Sequence, residues 1–165
     1  MAGYGAGVFF IRKQLLNKFK PLSVGWRSMV EPERMDNRRI ALRRDAGRYE
    51  WGCPPFPSIF AVGAAVDYYS GIGMEKIGRR VLEITDHLIK GLKAADFEVV
   101  SPEERKHRSG IVVFRVDKAA EICKRLLGEG IYVSPRGAGI RVAPHFYNSF
   151  EEIGTFLKKL VKYAR

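Results

Sequence analysis

The residues with the clearest capacity for chemistry lie in Gly139–Ile153, GIRVAPHFYNSFEEI. One cation, Arg141, stands on a short extended run, and a helix start follows at Ser149. Ser149-Phe150-Glu151-Glu152 is an S-x-x-E capping box. In such a box the serine hydroxyl accepts from the glutamate N–H, and the carboxylate accepts from the serine N–H. Phe150, Ile153, Phe156, Leu157, Leu160 and Val161 continue as an apolar stripe of helical period. A guanidinium held at a strand end beside a docked helix suits a planar carboxylate, because its fork donates two parallel hydrogen bonds. The plain alternative is a surface arginine on an edge strand. His145 lies in a Pro-His-Phe-Tyr turn with no acid at a readable spacing, which makes it a structural histidine. No His/Cys/Asp/Glu cluster has metal-ligand spacing, so no metal is expected.

The elements that must position Arg141 are legible from periodicity. Met74–Ala95 is the strongest helix, with Met74, Ile77, Val81, Ile84, Leu88 and Leu92 on one face. Phe97–Val100 and the β-branched Ile111–Val116 read as strands. Asp117 is placed to cap a helix that turns Ile122, Cys123, Leu126 and Leu127 inward. Ile131–Val133 and Ile140–Val142 are two further short strands, and Ser149–Tyr163 is the last helix. From Gly73 the order is therefore α-β-β-α-β-β-α. That order describes an α+β fold, helices layered on a small, mostly antiparallel sheet.

The first part of the chain reads differently. Val8–Ile11 is a short apolar run, expected as a fully buried strand of a parallel sheet. Arg12–Lys20 reads as a short helix ended by Pro21, and Leu22–Arg48 as charge-rich loop with a helical turn. Cys53-Pro54-Pro55-Phe56-Pro57 is expected to be extended and not helical. Ser58 then caps a helix through Tyr69, and Gly71 and Gly73 break it.

Composition narrows the function classes. The chain has 165 residues, a hydrophobic content of 46% and a formal charge of +11. That length accommodates an ordinary core without staples. Apolar runs are too short for a membrane span, and Met1–Gly7 lacks the pattern of a signal peptide. Cys53 and Cys123 read as two free thiols of a cytoplasmic protein. Arg34, Arg38, Arg39, Arg43, Arg44 and Arg48 crowd one region. A solvated basic face explains them more simply than a nucleic-acid site, and either reading favours anionic ligands.

Four stretches, in order, also carry a family resemblance. They are Gly3–Lys13 (GYGAGVFFIRK), Arg48–Pro54 (RYEWGCP), the strand–helix–strand of Gly110–Val116 and Ala119–Val133, and Gly139–Ile153. Together they resemble the class V aminotransferase family. These are pyridoxal-phosphate (PLP) enzymes of fold type I that include cysteine desulfurases, kynureninases and isopenicillin N epimerase-like proteins. The resemblance implies that residues 71–165 are the C-terminal small domain and residues 1–70 a remnant of the large PLP-binding domain. It implies that Arg141 binds the substrate α-carboxylate. It places Gly52 and Cys53 where the family has Gly-Thr, whose hydroxyl reaches the PLP phosphate of a neighbouring subunit.

Cys53 departs from that pattern, since a thiol is a poor donor; a small apolar filler beside the prolines is an equal alternative. The family's Schiff-base lysine should sit in a His-Lys pair shortly before Gly3, and the sequence contains no His-Lys dipeptide. PLP is thus the cofactor of the family, not one expected to be bound by this chain alone, and no catalytic residue is assigned. The expected partners are a second copy of the chain or a complementing chain carrying the PLP domain. No membrane and no specific nucleic acid are expected. A basic nucleic-acid-binding module and a non-enzymatic dimerisation domain are the rival readings. The former lacks basic residues interleaved with aromatics on a strand.

Overall fold

A computed structural model describes residues 5–36 and 38–165. Gly3 and Tyr4, which begin the first family-like stretch, lie outside the described residues. The chain divides into two compact units, residues 1–71 and 72–165.

The second unit is a layer of three helices on a three-stranded sheet. Helix α2 (Met74–Ala94) leads through an irregular stretch to β1 (Val112–Arg115), then α3 (Ala119–Gly128), β2 (Ser134–Arg136), β3 (Gly139–Val142) and α4 (Phe150–Ala164). The strand order is β1-β3-β2, all antiparallel. The register sets Val112 opposite Val142 and Phe114 opposite Ile140. Strand period puts these four on one face, and all four are buried. They meet Ile84, Leu88 and Leu92 of α2, Ile122 and Leu126 of α3, and Ile153, Phe156 and Leu160 of α4 in one apolar cluster. Gly139 is required where it stands: a Cβ there would lie 1.9 Å from the Phe114 carbonyl oxygen. Pro135 sits on β2, an edge strand, where the missing N–H breaks no ladder bond.

Several boundaries differ from expectation, each for a local reason. Residues 97–100 make one bridge, Val99 to Phe114, rather than a strand, although the Val100 N–H still donates to the Val113 carbonyl at 2.8 Å. Asp117 does not cap α3; Lys118 holds that position in the left-handed region, with no side-chain cap. Leu127 is exposed, because the narrow stripe Ile122–Cys123–Leu126 already fills the space above the sheet. The strand expected at Ile131–Val133 forms at Ser134–Arg136 instead. At the start of α2, Met74 is exposed, and burial begins at Ile84.

The first unit contains short 3-10 turns at Lys13–Leu15, Trp26–Ser28, Pro32–Arg34 and Ala46–Tyr49, followed by α1 (Phe56–Ile72). Val8–Ile11 is not a buried strand. Val8 and Phe10 are 87% and 80% exposed, and Phe9 only packs edge-on against Tyr49 at 5.0 Å. A lone extended segment is held as a strand only by a neighbour's ladder, and the described residues of this unit place none beside it. The helix expected over Arg12–Lys20 shrinks to the Lys13–Leu15 turn with one further turn behind it.

Helix α1 begins two residues before Ser58, so Ser58 is interior rather than a cap. Pro57 is accommodated because first-turn N–H groups have no intrahelical acceptor to lose. Gly71 lies within α1, and Gly73, at φ 96°, is what separates α1 from α2.

Candidate functional site

Arg141 is the third residue of β3, the central strand of the sheet, and not an edge residue. Its cross-strand neighbours are Val113 on β1 and Ser134 on β2. Since Ile140 and Val142 face the helices, Arg141 projects to the opposite face. Its residue is half-buried, and its Nε is buried without an acceptor. No carboxylate among the described residues pairs with it. The other sheet arginine with a neighbouring acid behaves differently: Arg115 Nε donates to Glu98 at 3.0 Å. Arg27 and Arg108 also have an Nε without an acceptor, yet both place a terminal nitrogen on a carboxylate, Glu50 and Asp86. Arg141 is therefore a half-buried guanidinium with no carboxylate partner among the described residues.

The chain leaves β3 through residues 143–149. The Asn148 N–H donates to the His145 carbonyl at 3.0 Å, and the His145 N–H donates to Asn148 Oδ1 at 2.8 Å. This closes the turn. The His145 ring stacks on Tyr147 at 4.7 Å, a structural placement. The capping box is formed as the spacing predicts. Ser149 N–H donates to Glu152 Oε2 at 2.8 Å, and Glu152 N–H donates to Ser149 Oγ at 3.1 Å. The Ser149 N–H, with the Asn148 amide, holds the Glu152 carboxyl below the usual carboxylate range. The capping box thereby gives the Glu152 N–H of the α4 N-terminus an acceptor.

Helix α2 grips this region from the side. Arg80 Nη2 donates to the Asn148 carbonyl at 3.2 Å, and its guanidinium lies 4.5 Å from the centre of the Phe150 ring. His87, two turns further along the same face of α2, meets the same ring edge-on at 5.2 Å. Asp86 accepts from Arg105 and Arg108, whose side chain is buried, and so pins the segment 101–109 to α2. Desolvation works against the Asp86 charge, but the two arginines outweigh it and its pKa is lowered.

Gly52 and Cys53 belong to the first unit. A local clamp sets their approach. Ser28, fully buried, accepts from the Gly25 N–H at 3.1 Å and donates to the Glu50 carbonyl at 2.8 Å. Gly25 lies so close to Trp51 that a Cβ would meet its carbonyl oxygen at 1.9 Å. The chain therefore reaches Gly52 along a fixed path, but Cys53 is exposed. The buried Cys123 thiol is pushed up in pKa by desolvation. Arg48 does not pair with Glu50. It donates to the carbonyls of Arg43 at 2.8 Å and Leu16 at 2.9 Å, while Glu50 takes Arg27 at 3.5 Å.

Half of the six arginines crowded in residues 34–48 have a carboxylate partner. Arg34 pairs with Glu31, Arg38 with Asp36, and Arg43 with Asp45. Arg34, Arg39 and Arg44 line a cavity of about 790 Å³ whose walls include Trp26, Met29 and Leu42. Among the described residues there is no group that could hold a metal ion, and no helix is long and apolar enough to cross a membrane.

The chain resembles known proteins in sequence and in fold. Kynureninase of Bacillus mycoides (strain KBAB4) is 29% identical over 168 residues, covering 96% of this chain and 39% of that protein. The apo cysteine desulfurase of Thermococcus onnurineus NA1 superposes with a TM-score of 0.80 at 22% identity, covering 94% of this chain and 42% of that one. A variant of C-DES with glycine covalently linked to its PLP cofactor superposes equally well, at 21% identity, covering 92% and 40%. The chain thus spans about 40% of the length of the proteins it matches. The fold is the α+β small domain, with part of the large domain, of the PLP-dependent fold type I enzymes. The family model for class-V aminotransferases matches residues 1–156, and this chain belongs to that family.

Proposed function

We propose that this chain is the substrate-carboxylate-binding portion of a PLP-dependent class V protein acting on an amino acid, and that by itself it does not carry out the reaction. The observation that supports this most is Arg141, on the central strand with a buried Nε and no acceptor. A planar carboxylate supplies two acceptors in the geometry that fork requires. Residues 1–70 are read as the large-domain part and residues 71–165 as the small domain.

The residues present do not form a cradle for PLP. By the family resemblance, Gly52 and Cys53 stand where the family has its phosphate-reaching Gly-Thr. Cys53 offers an exposed thiol where a hydroxyl donor is needed, and no His-Lys pair occurs in the sequence. When bound, the cofactor supplies the chemistry of the amino-acid α-carbon; this chain's share is to hold and orient the carboxylate. We place the protein in the cytoplasm, paired with a second copy or with a chain bearing the PLP domain.

Mixing the protein with PLP, reducing with borohydride and mapping the product tests this reading. No single stoichiometrically labelled lysine is expected. One defined labelled lysine, with an aldimine absorbance and amino-acid turnover, would overturn it.

A further inference from the structure

Arg141 does not stand alone on its face of the sheet. Val112, Phe114, Ile140 and Val142 are buried toward the helices, so the residues that alternate with them project the other way. The register then sets Arg141 between Val113 and Ser134, and Gly139 between Arg115 and Arg136. Arg136 is thus the diagonal neighbour of Arg141 on the same face. Diagonal neighbours stand about 7–8 Å apart, within reach of long side chains. Gly139 brings no side chain to keep the arginines apart. Of the three cations, Arg115 is held by Glu98, its Nε donating at 3.0 Å. Arg136 is exposed, and like Arg141 it has no carboxylate partner among the described residues. Like charges on one face of neighbouring strands repel, so two uncompensated guanidinium groups attract an anion between them. Ser134, half-buried and directly across from Arg141, adds a hydroxyl that can donate to it.

We propose that Arg136 is a second anion-binding residue of the Arg141 site, and that the site takes an amino acid with an acidic side chain; the proposal rests on the carboxylate reading of Arg141. The α-carboxylate goes to Arg141 and the side-chain carboxylate to Arg136. A ligand with one carboxylate leaves Arg136 uncompensated. Two forks set a diagonal apart suit two planar acids joined by a short chain better than one compact anion. The two arginines then divide the work by their places in the sheet. Arg141 is half-buried on the central strand, where solvent screens an ion pair less. Arg136 is exposed on the edge strand β2, where a pair gains less. Arg141 therefore holds the ligand, and Arg136 discriminates among ligands.

The test uses the full chain labelled with nitrogen-15, followed at the Ile140 amide during titration at neutral pH and constant ionic strength. The probes are sodium succinate and its monomethyl ester, which keeps the chain and removes one charge. The parent is expected to bind succinate about tenfold more tightly than the ester, the equilibrium value of one charge-assisted hydrogen bond. In Arg136→Met that preference should vanish, but for the statistical advantage of a ligand with two like ends, while the response to the ester stays at the parent's. Arg136→Lys should keep part of the preference. Arg125→Met, which removes one positive charge from α3 on the other side of the sheet, should keep all of it. An Arg136→Met protein with the parent's preference for succinate overturns the role of Arg136. So does sodium phosphate bound by the parent as tightly as succinate, because a compact anion then suffices. A parent that responds to neither probe, or an Arg141→Gln protein that responds as the parent does, overturns the carboxylate reading of Arg141, and the proposal falls with it.

Discussion

The two units reach order by different means. In residues 72–165, apolar side chains from three helices and a sheet converge, and Ile84, Leu88, Leu92, Phe114, Leu126, Ile140 and Leu160 are out of reach of solvent. In residues 1–71, Leu16 is the one buried apolar side chain among the described residues. What order exists there comes from polar devices, such as the Ser28 clamp and the Arg48 bonds to two carbonyls. Helix α1 has apolar residues all round, Phe56, Ile59, Phe60, Val62 and Val66 among them, and buries none of them. A helix of that composition is written for the interior of a larger body. The contrast teaches that two stretches of one chain can hold their paths by different forces, one by a shared apolar core and the other by local polar bonds.

The sharpest way to break this comparison is to remove one large side chain from each unit. Phe114→Ala should cost about 3–5 kcal/mol in urea unfolding followed by circular dichroism. Phe60→Ala should change it by less than about 0.5 kcal/mol. Equal costs would mean that α1 is covered by something the contrast leaves out. A second measurement addresses what the uncovered surface does. Exposed Val8, Phe9, Phe10 and Phe60 favour association, because burying apolar area is favourable at about 25 cal/mol per Å². Light scattering should give a dimer or larger, reduced by Phe10→Asp. A monomer at high concentration, indifferent to that substitution, would contradict it.

A smaller effect sharpens the account of the ordered unit. Ser149→Ala removes the acceptor for the Glu152 N–H and should lower stability by about 1 kcal/mol. Glu152 has a lowered pKa in the folded state, so its contribution is present above the ordinary carboxylate value and is lost as pH falls through the folded one. Glu152→Gln should therefore flatten the acid limb of the stability curve. An unchanged limb would show that the box contributes nothing to the acid response.

How much could be read in advance also divides between the units. The helix over 74–94 and the capping box at Ser149 are local signals, and the structure contains both. The antiparallel sheet was readable because Ile111–Val116 and Ile140–Val142 alternate against a core that the same chain supplies. Val8–Ile11 has an equally strong apolar pattern, yet pattern specifies a preference for partners and not their presence. The motif singles out Arg141 but not its place on the central strand of the sheet. Arg80 was not legible: on the sequence it is one polar residue of an amphipathic helix, and its distinction arises from a contact with Asn148, far along the chain. The acceptors of Arg48 were not legible either, because backbone carbonyls leave no trace in residue types.

Pro135 has a consequence for the protein under stress. It stands on the outer strand of the sheet, and at the opposite edge residues 98–100 already bond to β1. Neither margin therefore offers a continuous row of donors and acceptors on which further copies could template. Heated or crowded, residues 72–165 should resist recruitment into fibrillar deposits, and any coagulation of the whole protein should start from the other unit, around Val8–Phe10.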